Sequence, residues 1–390
     1  MNMMTRCPIC SSSELHAFFK VRNVPVHCNS LWHDRTAAQA CARGDIQLAI
    51  CASCGFMTNV CFDEELTSYS QHYDNSLFFS SFYRDYAEQS AAELISRYGL
   101  YQKTIIDIGA GQGDFILLLC RTGQNWGIGF DPALDPARLA DGLNEHVLFI
   151  RDNYSERYSH CKADLFCCRH VLEHIQYPRQ LLSAIRHSAD GNEEAALFFQ
   201  VPNSHYTLSR CAIWDIIYEH CSYYTPSSMF YTFTAGGFLV QEIVEEFGGQ
   251  YLSLYGLSAD DPSTNEPSSS QAWPDLLSDF QNKADALIDQ WNARLQEMKK
   301  ESSTVVLWGA GSKGVSFLNM VEMANSISAI VDLNPRKQGH FIPGAGHAII
   351  SLNELARIDP DVVIVANPVY LNEVRQLLRQ LHLDAEVMSL

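Results

Sequence analysis

The sequence predicts an α/β protein with three parts: a small N-terminal lobe that contains cysteine pairs, a central α/β domain, and a smaller C-terminal α/β domain preceded by a long helix. Three observations support this prediction. Two CxxC pairs stand in the first 54 residues. A strand, a glycine loop and a helix follow one another from residue 104 and again from residue 304. Apolar residues recur every three or four positions between residues 276 and 298.

Composition and charge exclude several classes of protein. The 390 residues are 47% apolar and 18% charged, which is typical of a folded chain of two or three domains. The net charge of −18 argues against a nucleic-acid partner, because a protein that binds the phosphate backbone needs a basic face. There is no run of about 20 apolar residues and no secretory signal, so we expect no membrane partner and a cytoplasmic location. The 13 cysteines are then reduced thiols or metal ligands.

Four cysteines have the spacing of metal ligands and form two CxxC pairs: Cys7, Cys10, Cys51 and Cys54. Each pair can present two thiolates to a tetrahedral Zn²⁺, and two pairs together complete a closed site whose role is structural. The 40 residues between the pairs exceed the usual gap of about 15–20, so an insertion must loop out. His27 and His33 remain alternative ligands.

The central unit has the pattern of a nucleotide-binding α/β domain. The strand 104–108 enters a glycine loop, and a helix follows. A second strand ends at Asp131, whose carboxylate can accept both ribose hydroxyls, and a third precedes Asp152, which can accept an adenine amino group. A fourth strand leads into the segment from Arg169 to His174. We expect the nucleotide site to be lined by Asp107, Gly109, Gly111, Gly113, Asp131, Asp152, Asn153, Arg169 and His170.

The spacing of the glycines separates two ligands that both use such a loop. The loop reads GxGxG from Gly109 to Gly113, and Asp114 stands where the dinucleotide fingerprint GxGxxG has its third glycine. A pyrophosphate needs the close helix approach that this glycine allows, whereas the methionyl tail of S-adenosylmethionine does not. We therefore predict S-adenosylmethionine as the cofactor of a central Rossmann-like class I methyltransferase domain.

A second glycine loop opens the C-terminal unit. It carries a complete GxGxxG from Gly309 to Gly314, and the next strand ends at Asp332. Taken alone, this pattern predicts an NAD site. The unit spans only residues 303–390, however, which is about half of a full dinucleotide fold.

The boundaries between the parts follow from composition and periodicity. The stretch 256–270 is rich in Ser, Pro, Asp and Asn and reads as a linker. The apolar stripe from Trp273 to Lys300 predicts one amphipathic helix that joins the two α/β domains. We predict a zinc-binding lobe over residues 1–66, a methyltransferase domain over 67–255, a linker and long helix over 256–302, and a C-terminal Rossmann-like domain over 303–390.

Motifs along nearly the whole chain carry a resemblance to one family. In order, these are the two CxxC pairs, YDNS from Tyr73, IDIGAGQGDF, RHVLEHI, WDIIYEHCSYYT, WGAGSKGVSFLN, VDLNPRKQGHFIPG and PDVVIVANP. Together they resemble the three-domain sugar C-methyltransferases, which methylate C3 of nucleotide-bound 4-keto-6-deoxy sugars. The resemblance implies an N-terminal domain with structural zinc, a central domain that binds S-adenosylmethionine, and a C-terminal domain that helps to hold the nucleotide sugar.

The same resemblance implies roles for individual residues. It gives His220 as general base, Glu219 as its neighbour, and Tyr73 and His174 as further active-site groups. We expect His174 on the helix after the fourth strand. Tyr69 remains an alternative to Tyr73. In the C-terminal domain it implies substrate-binding residues at Gly309, Gly311, Lys313, Gly314, Asp332 and Lys337.

Methylation of a carbon next to a ketone requires such groups. A C–H proton must be removed, and a histidine that titrates near neutral pH is a suitable base. Tyrosine or histidine donors can stabilise the charge that develops on the carbonyl oxygen. We predict a C-methyltransferase whose small-molecule acceptor is a nucleotide-linked keto-deoxy sugar or a related intermediate. Two alternatives stay open: O- or N-methylation of another small molecule, and a non-catalytic or redox protein that binds a dinucleotide at the C-terminal GxGxxG.

Overall fold

A computed structural model of the chain describes residues 3–67, 73–139, 146–259 and 276–390. The strands are β1 (Leu15–Pro25), β2 (Arg43–Cys51), β3 (Met57–Asn59), β4 (Thr104–Ile108), β5 (Trp126–Phe130), β6 (Val147–Ile150), β7 (Leu165–Arg169), β8 (Ala196–Pro202), β9 (Ser222–Tyr223), β10 (Leu239–Glu246), β11 (Tyr251–Leu257), β12 (Val305–Trp308), β13 (Ala329–Val331), β14 (Ile349–Ile350), β15 (Val362–Val365) and β16 (Glu386–Ser389). The α-helices are α1 (Arg35–Gln39), α2 (Ser81–Tyr98), α3 (Asp114–Gly123), α4 (Pro136–Leu139), α5 (Pro178–Ala189), α6 (Ser204–Ser209), α7 (Pro226–Ala235), α8 (Phe280–Lys300), α9 (Ser312–Met320), α10 (Leu352–Ile358) and α11 (Leu371–Gln380).

The central sheet has seven strands in the order β10-β11-β8-β7-β4-β5-β6. Strands β4 to β8 run parallel, and β11 pairs antiparallel with β8. Their apolar runs are buried on both faces, as expected for a parallel sheet covered by helices. The chain reverses its direction of winding between β4 and β7, which opens a crevice at the carboxyl ends of these strands. The predicted α/β class and the Rossmann-like central domain are confirmed.

The N-terminal sheet has the order β1-β2-β3-β9 and is antiparallel throughout. Its last strand does not come from the first 66 residues. Strand β9 begins two residues after His220, and Tyr223 pairs with Met57 of β3. The Thr58 hydroxyl also donates to the carbonyl of Cys221 at 2.8 Å. The segment that carries His220 is therefore anchored to the N-terminal lobe.

The C-terminal sheet has five parallel strands in the order β14-β13-β12-β15-β16. The glycine loop connects β12 to α9. At Gly314 a Cβ atom would lie 2.1 Å from the carbonyl oxygen of Gly309, so this position requires glycine for α9 to pack on its own loop.

The long helix α8 begins at Phe280, and the predicted part at 273–275 lies outside the described residues, as does most of the predicted linker. That this helix joins the two α/β domains stays a prediction, and its packing adds a contact that the sequence does not indicate. Phe280 packs against Phe19 of β1 with ring centroids 5.4 Å apart, and Trp291 packs against Phe317 of α9 at 5.2 Å. The helix therefore connects the N-terminal lobe to the C-terminal domain, because its apolar stripe meets the apolar faces of both.

The predicted domain boundaries at residues 66, 255 and 302 stay a prediction. Among the helices that the structure describes, none combines the length and the apolar character needed to cross a bilayer.

Candidate functional site

A cleft of about 1340 Å³ lies at the carboxyl ends of the central strands and faces the glycine loop of the C-terminal domain. Most of the predicted site residues line it: Tyr73, Asp107, Gly109, Gly111, Asp131, Asp152, Asn153, Arg169, His170, His174, His220, Gly309, Gly311, Lys313, Gly314, Asp332 and Lys337. Two of the residues predicted for catalysis or cofactor binding do not. A Cβ atom at Gly113 would meet the ring of Phe149, and Glu219 is completely buried behind the cleft wall.

The glycine loop after β4 leaves room for a ligand at one position. The backbone N–H of Gly111 donates to the carboxylate of Asp131 at 2.9 Å, which fixes the loop against the end of β5. A Cβ atom at Gly111 would meet nothing within 4 Å, whereas at Gly109 it would lie 2.0 Å from the side chain of Val171. Both glycines have positive φ angles, which other residues adopt only with strain. The open space beside Gly111 therefore fits a ligand that approaches the backbone closely.

Carboxylates surround this half of the cleft. Burial raises the pKa of Asp131, against the effect of the N–H groups of Ala133 and Gly111. Burial also raises the pKa of Asp107 to about 7, although the charge of Arg169 opposes the shift. Asp152 accepts a 2.6 Å hydrogen bond from the hydroxyl of Tyr158, which lowers its pKa and keeps it ionised. Carboxyl groups at successive strand ends are suited to the hydroxyl and amino groups of a nucleoside.

Two histidines form a pair in the cleft wall. The rings of His174 and His220 are 4.9 Å apart and nearly perpendicular. His174 lies in a short 3₁₀ turn, Leu172–His174, and not on the helix that the sequence predicts after the fourth strand. That helix starts only at Pro178, because proline favours the first position of a helix. Nδ1 of His174 lies 3.0 Å from the carbonyl oxygen of Glu219. A carbonyl only accepts, so Nδ1 donates and Nε2 is the unprotonated nitrogen of the neutral ring.

His220 is held in its basic form. Burial lowers the pKa of His220 to about 4, and the charge of His174 acts in the same direction, while Glu173, Glu219 and Asp215 oppose the shift. At neutral pH the ring is therefore neutral and able to accept a proton.

The carboxylate of Glu219 faces the N-terminal lobe. One oxygen accepts from Nδ1 of His27 at 3.1 Å and the other from the backbone N–H of Cys28 at 2.9 Å. Although burial raises the pKa of Glu219, the hydrogen bond from His27 and nearby charges lower it overall. Glu219 thus contacts the histidine pair through its backbone carbonyl, to His174, and its carboxylate is bonded elsewhere.

Sequence reasoning missed Glu173, which lines the cleft between His170 and His174 and is only 2% exposed. Although burial raises its pKa, the nearby ring nitrogen of His170 and the charges of His174 and His220 lower it overall, so the carboxyl stays ionised. The sequence signal that could have identified Glu173 is its position between two histidines in the motif RHVLEH.

Asp74 ties the segment 73–80 across the cleft and was also missed. Its buried carboxylate accepts from Arg138 of α4 at 3.1 Å, from Arg336 at 3.0 Å and from the side-chain amide of Asn334 at 2.8 Å. The neighbouring Tyr73 forms a backbone bridge with Ser30 of the N-terminal lobe. All three parts of the chain thus meet at this segment. The alternative tyrosine, Tyr69, lies outside the described residues.

The C-terminal wall of the cleft carries cations. Nζ of Lys337 donates to the side-chain oxygen of Asn29 and to the carbonyl of Ala310, both at 3.0 Å, and its side chain is buried. Lys313 pairs with Asp215 of the central part. The carboxylate of Asp332 accepts from the N–H of Ala310 at 2.8 Å and fixes the glycine loop.

The four cysteines converge away from the cleft. Their sulfur atoms all lie within 4.8 Å of one another, with Cys7 3.6 Å from Cys54 and Cys10 3.4 Å from Cys51. Zn–S bonds of about 2.3 Å in a tetrahedron place sulfurs about 3.8 Å apart, so the four thiols fit Zn²⁺. The alternative ligands are engaged elsewhere: His27 with Glu219, and His33 with the ring of His340 at 4.3 Å.

Two family models match parts of the chain. Residues 83–243 match the family model of a methyltransferase domain, and residues 263–385 match that of the C-methyltransferase C-terminal domain. No curated protein sequence matches the chain.

Several solved structures are similar at low identity. N,N-8-amino-8-demethyl-D-riboflavin dimethyltransferase from Streptomyces davawensis is 20% identical with a TM-score of 0.38, over 45% of this chain and 55% of that one. Human N-acetylserotonin methyltransferase is 14% identical with a TM-score of 0.36, over 46% and 55%. The 1,6-didemethyltoxoflavin-N1-methyltransferase of Burkholderia thailandensis is 17% identical with a TM-score of 0.36, over 46% and 82%. The chain thus spans about half the length of the first two.

The two matches show which domains the chain contains. It has a methyltransferase domain followed by a C-methyltransferase C-terminal domain. The prediction of a methyltransferase is confirmed.

The bonds of Asp74 yield a stability prediction. Asp74→Asn removes the buried charge that pairs with Arg138 and Arg336, and we expect a loss of about 2 kcal/mol in the free energy of unfolding. Urea denaturation measures this loss, and limited proteolysis should show faster cleavage within the segment 73–80. Asp85→Asn, at an exposed position of α2, is the matched control. Equal stability of the two variants would contradict the role given to Asp74.

Proposed function

We propose that the enzyme transfers the methyl group of S-adenosylmethionine to a carbon atom next to a carbonyl group, in a nucleotide-linked keto-deoxy sugar or a related intermediate. The observation that carries this proposal is the shared cleft. It brings the glycine loop after β4, the pair of His174 and His220, and the cationic wall of the C-terminal domain around one space. A C-methyltransferase C-terminal domain on the far wall supports carbon as the methylated atom.

The donor site in this proposal is the half of the cleft around Gly111. Asp131 would accept the ribose hydroxyls, Asp152 and Asn153 would face the adenine, and Asp107, Arg169 and His170 would surround the methionyl part. Asp131 retains acceptor capacity for this task, because each of its oxygens takes only one backbone N–H. Bound S-adenosylmethionine supplies an electrophilic methyl group, which transfers to carbon as the S–CH₃ bond breaks and its electron pair stays on sulfur.

The acceptor site would lie between the histidine pair and the C-terminal glycine loop. Lys337 keeps one ammonium N–H beyond its bonds to Asn29 and Ala310, and Lys313 lines the cleft as a pair with Asp215. Gly309, Gly311 and Gly314 leave the loop backbone close to the cleft. Cations and loop amides of this kind suit a nucleoside diphosphate. Asp332 would act indirectly, since its carboxylate holds the loop.

The chain's own groups would create the nucleophile. His220 accepts the proton from the carbon next to the carbonyl, and the electron pair of the broken C–H bond is delocalised onto the carbonyl oxygen. Tyr73 would donate to that oxygen and lower the energy of the enolate, and His174 could do the same only as an imidazolium, because the one N–H of its neutral ring is bonded to the Glu219 carbonyl. Glu219 positions His174 through its backbone carbonyl and ties this wall to the N-terminal lobe.

The N-terminal lobe would hold its zinc for stability alone. Four cysteine ligands close the coordination sphere, so no position is left for substrate, and the cleft is lined by other residues.

The role of His220 leads to the central test of the proposal. With S-adenosylhomocysteine in place of the donor, the enzyme should exchange the α-hydrogen of TDP-4-keto-6-deoxyglucose or a related nucleoside-diphosphate keto sugar with D₂O. His220→Asn should slow this exchange by about 10²–10⁴-fold, since a positioned base is lost. Mass spectrometry follows the exchange.

Because the pKa of His220 is about 4, the wild-type rate should stay constant as the pH falls from 8 to about 5.

The control for this experiment is His160→Asn, which changes an exposed histidine away from the cleft and should leave exchange unaltered. Binding of S-adenosylhomocysteine should stay within about twofold in both variants. Full methylation by His220→Asn would overturn the assignment and favour O- or N-methylation, which needs no enolate. Exchange that survives while methylation is lost would place the base at another residue.

Zinc binding has a separate test. Cys51→Ser should release about one zinc ion per chain and expose the N-terminal lobe to protease, because metal binding is linked to the folding of this lobe. Metal analysis by mass spectrometry and limited proteolysis measure both effects. Cys61→Ser, which lies outside the four-sulfur cluster, is the matched control. Absence of zinc from wild-type protein that has been purified without a chelator would contradict the four-cysteine zinc site.

A further inference from the structure

Glu173 occupies an unusual position for a charged side chain. It lies in the turn Leu172–His174, lines the cleft, and is 2% exposed. One carboxylate oxygen lies 3.7 Å from Nδ1 of His170, which is longer than a strong hydrogen bond. The other oxygen, Oε2, is buried and makes no hydrogen bond to any described residue. A buried acceptor without a partner is destabilising, so its presence calls for a functional explanation.

The unpaired oxygen has a matching neighbour. Nδ1 of His220 is also buried, and it too has no hydrogen-bond partner within residues 3–67, 73–139, 146–259 and 276–390. A carboxylate oxygen of Glu173 and one ring nitrogen each of His174 and His220 lie within 4.8 Å of one another. The backbone holds this arrangement, since the N–H of Cys221 donates to the carbonyl of Glu173 at 2.9 Å.

The other acidic groups near His220 are already engaged. The neighbouring charges that act on its ring are those of His174, Glu173, Glu219 and Asp215, and the ring of Tyr223 lies 6.2 Å away. The carboxylate of Glu219 accepts from His27 and Cys28, and that of Asp215 pairs with Lys313. Glu173 is therefore the carboxylate that is left to face an imidazolium in this part of the wall.

We propose that Glu173 is the charge partner of the His174 and His220 pair: it positions the two rings and stabilises the imidazolium that forms when the base takes a substrate proton. This inference rests on the proposed function. As the C–H bond breaks, its proton moves to the ring nitrogen of His220 and its electron pair stays on the substrate as the enolate. Glu173 remains ionised throughout and takes no proton, so it is a positioning residue.

Kinetics of Glu173→Gln test the proposal, because this variant keeps the shape and removes the charge. Exchange of the α-hydrogen of TDP-4-keto-6-deoxyglucose with D₂O, in the presence of S-adenosylhomocysteine, should fall about 10–100-fold, with the loss in kcat and not in KM. Binding of S-adenosylhomocysteine should stay within about twofold. Glu173→Ala should regain activity with added formate but not with chloride at equal ionic strength. Glu193→Gln, at an exposed position, is the matched control.

A second measurement does not depend on activity. In the wild-type protein bound to S-adenosylhomocysteine, histidine NMR follows protonation of the pair, with His174→Gln and His220→Asn used for assignment. Loss of the nearby carboxylate in Glu173→Gln should shift the first protonation step to a pH about one unit lower. An unchanged step would overturn the inference whether or not the acceptor has been found.

The outcomes separate this inference from the proposed function. If Glu173→Gln exchanged the α-hydrogen as fast as the wild-type enzyme, the role of Glu173 would be overturned and C-methylation would stand. Absence of wild-type exchange with every keto sugar tested would overturn C-methylation, and the NMR shift would then decide the role of Glu173 alone. If metal analysis found a second metal ion per chain besides the zinc, and if hydrogen exchange required that ion, Glu173 would be a metal ligand. This result would overturn the inference.

Discussion

The structure depends on two cross-links between the turn Leu172–His174 and the segment 219–221. Nδ1 of His174 bonds to the carbonyl of Glu219, and the N–H of Cys221 bonds to the carbonyl of Glu173. The turn follows the carboxyl end of β7 in the central sheet, whereas the segment continues into β9 of the N-terminal sheet. These bonds fix the two histidines against each other, and they make the geometry of the cleft wall depend on the N-terminal lobe.

The lobe with the cysteine cluster therefore does more than cap the molecule. It supplies the neighbours of the Glu219 carboxylate, one anchor of β9 and the bridge to Tyr73. Helix α8 then packs the same lobe against the C-terminal domain through Phe280 and Trp291. A cleft built from three separate parts of a chain excludes water only when all three are in place, and desolvation strengthens the electrostatic interactions inside it.

Local patterns in the sequence predicted the strands and loops of the two α/β units well. The buried run 104–108 and its glycine loop lie where expected, because strand, turn and helix signals are local. Contacts between distant segments could not be predicted. Three features depend on how separate elements dock. They are the proximity of Glu173 to His220, the direction of the Glu219 carboxylate towards His27, and the surface against which α8 packs. Periodicity shows that a face is apolar and does not show which surface covers it.

The central claim is that the methyl donor and the histidine pair share one cleft. A crystal structure of the complex with S-adenosylhomocysteine tests it most directly. The account predicts that the ribose hydroxyls bond to Asp131 and that the sulfur atom faces the pair of His174 and His220 across the open space beside Gly111. A ligand seated in the C-terminal glycine loop at Gly309, or a sulfur atom directed away from His220, would contradict the account.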